Sequence, residues 1–73
     1  MKLRSVFAKN LLAYRRARGL SQEDLADAAE IDRTYVSALE RCQYAASIDV
    51  IERLSIALQI QASDLLQTAS PSK

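Results

Sequence analysis

Leu3, Phe7, Leu11, Tyr14 and Arg18 recur at steps of four, four, three and four, the repeat of one face of an α-helix. Gly19 predicts the end of that helix, because glycine enters the left-handed backbone at little cost, and Leu20 is then placed to fold back on Tyr14. Ser21 follows with the pattern of a helix start. Its hydroxyl can accept from the free N–H groups of the next turn, Asp24 holds the acid position of a capping box, and Leu20 and Leu25 occupy the two staple positions. A second helix over Gln22–Ala29 is therefore predicted. A third begins after Asp32, with Ile31 and Val36 again at staple positions, and ends near Arg41. Between them, Ala29-Glu30-Ile31-Asp32 makes a tight helical corner.

After a polar loop over residues 41–46, Ser47 can cap a fourth helix, Ile48–Leu58, whose core stripe is Ile51, Leu54 and Leu58. Ser63 is the expected cap of a last short turn over residues 64–67, and residues 68–73, with Ser-Pro-Ser, read as a frayed tail. Gly and Pro occur once each, so strand and hairpin signals are nearly absent. The expectation is an all-α fold, a compact bundle of about five short helices forming one domain over residues 1–67.

A chain of 73 residues buries only about 60% of the surface that its unfolded form exposes, and association is one way such chains gain stability. Its 49% hydrophobic and 26% charged content is that of a globular protein. No apolar run nears the roughly 18 residues of a membrane span, and Lys9 and Asn10 interrupt any signal-peptide core. A cytoplasmic location away from membranes is the expectation. Cys42 is the single cysteine and histidine is absent, which removes an internal disulfide and leaves no basis for a zinc site or histidine-based catalysis. The nine acids are spread over several predicted helices in the manner of a solvated surface. No catalytic residue, metal or cofactor is expected. The net charge of +1 is not that of a strongly basic nucleic-acid binder, so any case for DNA rests on where the basic groups lie.

The third helix supplies that placement. Val36 and Leu39 point one way, with Glu40, while Arg33, Thr34, Ser37, Ala38 and Arg41 point the other. This second face is slim and cationic and contains no acid. It suits the major groove, where arginine bonds guanine O6 and N7 and threonine methyls meet thymine; an ordinary solvated helix face has the same composition. Ser21 and Gln22 stand at the start of the preceding helix, where free N–H groups attract a phosphate.

The run Ser21-Gln22-Glu23-Asp24-Leu25-Ala26, continued by Ile31-Asp32-Arg33-Thr34-Tyr35-Val36-Ser37-Ala38-Leu39-Glu40-Arg41, resembles the lambda-repressor-like, Cro-type (XRE) helix-turn-helix domains. Leu25-Ala26, Ile31, Val36-Ser37 and Leu39-Glu40 carry the likeness, which extends from about Phe7 to Leu66, with the motif itself over residues 21–41. Asp32-Arg33-Thr34-Tyr35-Val36-Ser37 is similar to the recognition helix of restriction–modification controller proteins, a pattern that prophage repressors and antitoxin-type repressors share in large part.

The resemblance implies a transcription regulator that binds double-stranded DNA as a homodimer on a pseudo-palindromic operator. It implies base contacts from Arg33, Thr34 and Ser37, with Ala38 beside a thymine methyl, and backbone contacts from Gln22, Arg41, Gln43, Tyr44 and Ser47. Tyr35 would either lean on sugar and phosphate or pack beside its helix. It also implies a structural ion pair between Arg15 and Glu40. The chain departs from the family at Glu30, Cys42 and Gln59, where glycine is frequent; either these residues adopt left-handed backbone or the loop after Glu40 is reshaped. Cys42 reads as a partly buried thiol, with a redox role the alternative.

Val50, Ile56 and Leu66 are the apolar residues left over from a monomer core, and a dimer interface through the C-terminal helices, residues 48–67, would use them. Activation of transcription would add RNA polymerase as a partner. The competing class is a helical module or antitoxin whose main partner is another protein.

Overall fold

The computed structural model describes residues 2–68, and within them five helices follow in chain order: α1 (Leu3–Ala17), α2 (Gln22–Ala29), α3 (Arg33–Glu40), α4 (Ile48–Leu58) and α5 (Ala62–Leu65). No strand occurs among the described residues. Of the expected tail, residues 69–73 lie outside them.

α1 to α4 all end in the same way. Gly19, Glu30, Cys42 and Gln59 are left-handed, with φ of 70°, 60°, 62° and 60°. Each donates its N–H to the carbonyl three residues back, and the next residue donates to the carbonyl five back: Leu20 to Arg15, Ile31 to Ala26, Gln43 to Ala38 and Ile60 to Ser55, at 2.9–3.1 Å. This is the Schellman closure, which satisfies carbonyls that a helix end would otherwise leave bare. At three of the four ends the apolar residue that follows, Leu20, Ile31 or Ile60, leads directly into the first cap of the next helix, Ser21, Asp32 or Gln61. One aliphatic side chain thus closes one helix and staples the next. Only between α3 and α4 does the chain insert residues, 43–46, before the cap at Ser47.

These corners fold the helices around one core. Phe7 and Leu11 of α1, Leu25, Ala26 and Ala29 of α2, Val36 and Leu39 of α3, Leu54 and Leu58 of α4 and Leu65 of α5 are buried together. Each large aliphatic side chain withdrawn from water contributes roughly 1.5–3 kcal/mol. Tyr14, Leu20 and Ile31 pack partly buried against this cluster.

Two expectations are corrected here. Leu3, placed at the head of the buried stripe of α1, is 53% exposed; it lies at the first turn, where no neighbouring helix covers it. α5 begins at Ala62 rather than after Ser63, because the Asp64 carboxylate reaches back and accepts the Gln61 N–H at 2.9 Å. The far end of α5 is tied to α1 by Asn10. Its amide N–H groups reach the Leu65 and Gln67 carbonyls at 2.9 and 3.0 Å, with that of Asp64 further away at 3.4 Å. An amide has two such hydrogens, so the two shorter contacts are the full bonds.

Candidate nucleic-acid interface

The capping of α2 and α3 sets the angle at which α3 leaves the molecule. Ser21 Oγ accepts from the Asp24 N–H at 3.0 Å and Asp24 Oδ2 accepts from the Ser21 N–H at 3.2 Å, a reciprocal box. The Ser21 amide is therefore already used, and Glu23 and Asp24 put negative charge in the first turn. Both features oppose the expected role of this helix start in holding a phosphate. At the start of α3, Asp32 Oδ1 accepts from both the Thr34 N–H and the Thr34 hydroxyl, each at 2.9 Å. These two bonds, the backbone one first, with a smaller contribution from the Arg33 charge, hold the Asp32 carboxyl below the usual carboxylate range. They also fix the Thr34 side chain, so that its position on the surface is set before anything approaches.

Arg33, Thr34 and Arg41 are exposed and Ser37 is half-buried on the outward side of α3. Ala38 is not with them. It is only 4% exposed, which corrects the expectation that it could touch a thymine methyl. Cys42 lies four residues on, and its thiol is 3.5 Å from the Ser5 hydroxyl of α1; α1 therefore closes this flank of α3, where an alanine is small enough to fit. The outward face is narrower than the sequence pattern implies.

The C-terminal end of α3 is fastened by Glu40. Arg15 Nε donates to Glu40 Oε2 at 2.6 Å and Arg15 Nη2 to Oε1 at 3.1 Å, while the remaining guanidinium nitrogen, Nη1, donates to the Leu20 carbonyl at 2.8 Å. The two side chains are 12% and 4% exposed. Hydrogen bonding to Glu40, partly offset by burial, raises the Arg15 pKa above its ordinary value, so the guanidinium stays charged. Gln22 adds a third arm: its Nε2 donates to Glu40 Oε1 at 2.9 Å. Gln22, expected on the DNA backbone, spends one of its amide hydrogens inside the protein. This tether was missed at the sequence level, because nothing in the spacing of Gln22 and Glu40 signals it.

In the inserted loop Gln43 and Tyr44 are exposed, beside the exposed Ser47. The Tyr44 ring meets that of Tyr35 at 6.5 Å between centroids and 57° between planes, a tilted aromatic contact. Tyr35 itself packs partly buried on the core. Ser47 Oγ accepts from the Val50 N–H at 3.1 Å, which leaves its own hydroxyl hydrogen free to donate. Arg33, Thr34, Ser37, Arg41, Gln43, Tyr44 and Ser47 thus belong to α3 and the segment leading from it to α4. Val50, Ile56 and Leu66 do not form the single outer side expected of them. Val50 and Leu66 pack partly buried on the core, while Ile56 is 69% exposed. Six residues on a 3.6-residue helix separate Val50 and Ile56 onto different faces.

Among the described residues no cluster of metal-ligating side chains occurs and no helix is long and apolar enough to cross a membrane.

Residues 11–65 match the helix-turn-helix family model HTH_3. The chain is 44% identical over 64 residues to a Neisseria meningitidis protein described as a hypothetical transcription factor, with 88% of this chain and 60% of that protein covered. It is 38% identical over 65 residues to control protein C.BamHI of Bacillus amyloliquefaciens, covering 88% and 80% of the two chains. The crystal structure of the restriction–modification controller protein C.AhdI from Aeromonas hydrophila superposes with a TM-score of 0.83 at 40% identity, over 85% of this chain and 94% of that one. The chain thus spans less than two thirds of the Neisseria relative and most of the two controller proteins. With the capped corner between α2 and α3, the fastened third helix and this match over most of its length, the chain belongs to the helix-turn-helix family and is similar within it to restriction–modification controller proteins.

Proposed function

We propose that the chain is a sequence-specific DNA-binding transcription regulator of the controller-protein kind, acting in the cytoplasm as a homodimer on a pseudo-palindromic operator. The observation that carries this reading is the outward face of α3: Arg33 and Thr34 exposed, Ser37 beside them, and the helix fixed at its far end through Glu40 to α1 and α2. A rigid cationic helix of this width enters the major groove, where Arg33 donates to guanine O6 and N7 and the Thr34 methyl contacts thymine. Arg41, Gln43, Tyr44 and Ser47 lie alongside and take the phosphates, which position the protein without reading sequence. Two α3 helices about 34 Å apart reach successive major grooves. Repression needs no further contact; activation adds one to RNA polymerase.

The test begins with selection of bound sites from a random DNA pool. Arg33→Ala is expected to cost about 1–3 kcal/mol on the selected site and to relax the choice at one base pair. Arg41→Ala should weaken selected and random DNA alike, with a shallower dependence on salt. An Arg33→Ala variant that loses affinity equally for every sequence removes Arg33 from base reading. A chain that enriches no site contradicts the proposal as a whole.

A further inference from the structure

Six of the ten lysines and arginines, Lys2, Arg4, Lys9, Arg15, Arg16 and Arg18, and none of the nine acids precede Glu23. Arg15 is engaged by Glu40 and Arg18 by the Gln59 carbonyl. Lys2 at the cap of α1, Lys9 and Arg16 stand seven residues apart, close to two full turns, and so return to one side of the helix, with Ser5 and Ala13 between them. All five are exposed, on the side opposite the buried Phe7 and Leu11. At 1.5 Å per residue the three cations extend over about 21 Å. Among the described residues none of Lys2, Lys9, Arg16 and Arg41 takes part in an ion pair.

This strip is continuous with the outward side of α3. Arg41 closes α3, Cys42 follows it, and the Cys42 thiol lies 3.5 Å from the hydroxyl of Ser5, which stands between Lys2 and Lys9. A track with no acid among its residues thus runs from Arg41 across Ser5 onto α1. Duplex DNA, with one negative charge per about 1.7 Å of its axis, complements such a track. We propose that Lys2, Lys9 and Arg16 hold phosphates of the operator duplex beyond the groove that α3 enters, so that each copy of the chain grips flanking DNA as well as its half-site. The proposal rests on the DNA-binding homodimer reading above and extends its footprint. The flank is the target because α5 meets α1 from the core side, where Leu65 is buried with Phe7 and Leu11; in a homodimer joined through the C-terminal helices the strip points away from the two-fold axis. An acidic protein would match the charge equally, but DNA already lies at the α3 end of the track. Contacts of this kind touch phosphate alone, so they add affinity and leave the sequence that is read unchanged.

The experiment measures binding of the full chain to two duplexes by fluorescence anisotropy over a range of salt concentrations. One duplex is the site selected from the random pool, trimmed to the operator; the other carries the same site with one further helical turn, about 10 bp, at each end. The parent chain should bind the longer duplex more tightly and with a steeper salt dependence, by about 0.9 in log–log slope for each added phosphate contact. Lys9→Gln and Arg16→Gln, singly and together, should remove that gain stepwise while binding the trimmed duplex like the parent. Both residues are exposed, and glutamine forms helix about as well as lysine and arginine, so the fold should survive, which circular dichroism checks. A parent chain that binds both duplexes alike overturns the proposal without any variant and leaves the operator reading in place. Equal losses on both duplexes overturn it as well, placing the cations on the operator itself or, where sedimentation finds two duplexes on one homodimer, on a second DNA. A chain that selects no site removes the DNA-binding reading, and the flanking contact with it.

Discussion

Left-handed backbone at Glu30 and Gln59 brings a side chain against its own peptide, a cost of roughly 1–2 kcal/mol that glycine does not bear. At both positions an arginine distant in the chain holds the strained residue: Arg53 Nη1 of α4 donates to the Glu30 carbonyl at 3.3 Å and Arg18 Nη2, just past the end of α1, to that of Gln59 at 3.1 Å. Glu30→Gly keeps that carbonyl and relieves the side chain, offset by the greater freedom of glycine in the unfolded chain. The expected result is a gain of up to about 1 kcal/mol, or roughly 4–8 °C in melting temperature for a domain of this size, with DNA affinity unchanged. A lower melting temperature contradicts strain at that residue. Asp32 makes a prediction in pH. Its carboxyl is held below the ordinary range in the folded chain, so its contribution to stability is complete above about pH 3.9, the unfolded value, and is lost as pH falls through the lower folded value. Asp32→Asn retains a capping side chain without the charge. The gap in melting temperature between parent and variant should therefore narrow on acidification through that range; a gap that stays constant rules out the charge as its source.

Among the elements, α3 draws its position from its neighbours. With only eight residues it is too short to hold by itself, and Glu40 joins it to Arg15 of α1 and Gln22 of α2. Removing one member of a nearly buried pair leaves the other charge unpaired, at a cost of roughly 3–5 kcal/mol. A double-mutant cycle with Arg15→Met and Glu40→Gln should show strong coupling in urea unfolding; additive losses would place the two in separate environments. The helix spans and corners were legible in the sequence because caps, staples and apolar spacing are local. Ser21, Asp32 and Ser47 each accept the amide that their position implies. What was not legible depends on residues far apart in the chain. Ala38 lies on the polar side of the α3 pattern, yet the fold buries it. Gln22 turns inward because Glu40 is there to receive it. The side that Val50 faces depends on where α4 packs. The Arg15 and Glu40 pairing itself followed from family resemblance and not from their spacing.

At the level of the whole molecule, a net charge of +1 coexists with a cationic reading face because the charges are segregated. Glu23, Asp24, Asp27 and Glu30 are exposed on and just after α2, while Arg33 and Arg41 flank the outward side of α3. One chain measures 34 × 23 × 19 Å and carries one such helix, so contact with two successive grooves requires a second copy. A folded state that associates gains stability with concentration, roughly 2.7 kcal/mol at a hundred times the dissociation constant. The melting temperature should accordingly rise as the protein is concentrated, and Ile56→Glu should flatten that rise; a concentration-independent melt in the parent chain argues against association.

The four helix endings have a consequence for how kinship is detected. Their geometry is written in peptide-to-peptide bonds, joined at three of the four by one aliphatic residue before the next cap, and three of the four proceed without glycine at the bend. The family model matches residues 11–65 across the glycine-free bends, those at Glu30 and Gln59 among them, so the likeness is carried by the caps and apolar spacing around the bends and not by glycine within them. The same tolerance lets such chains diverge at their bends while keeping one architecture.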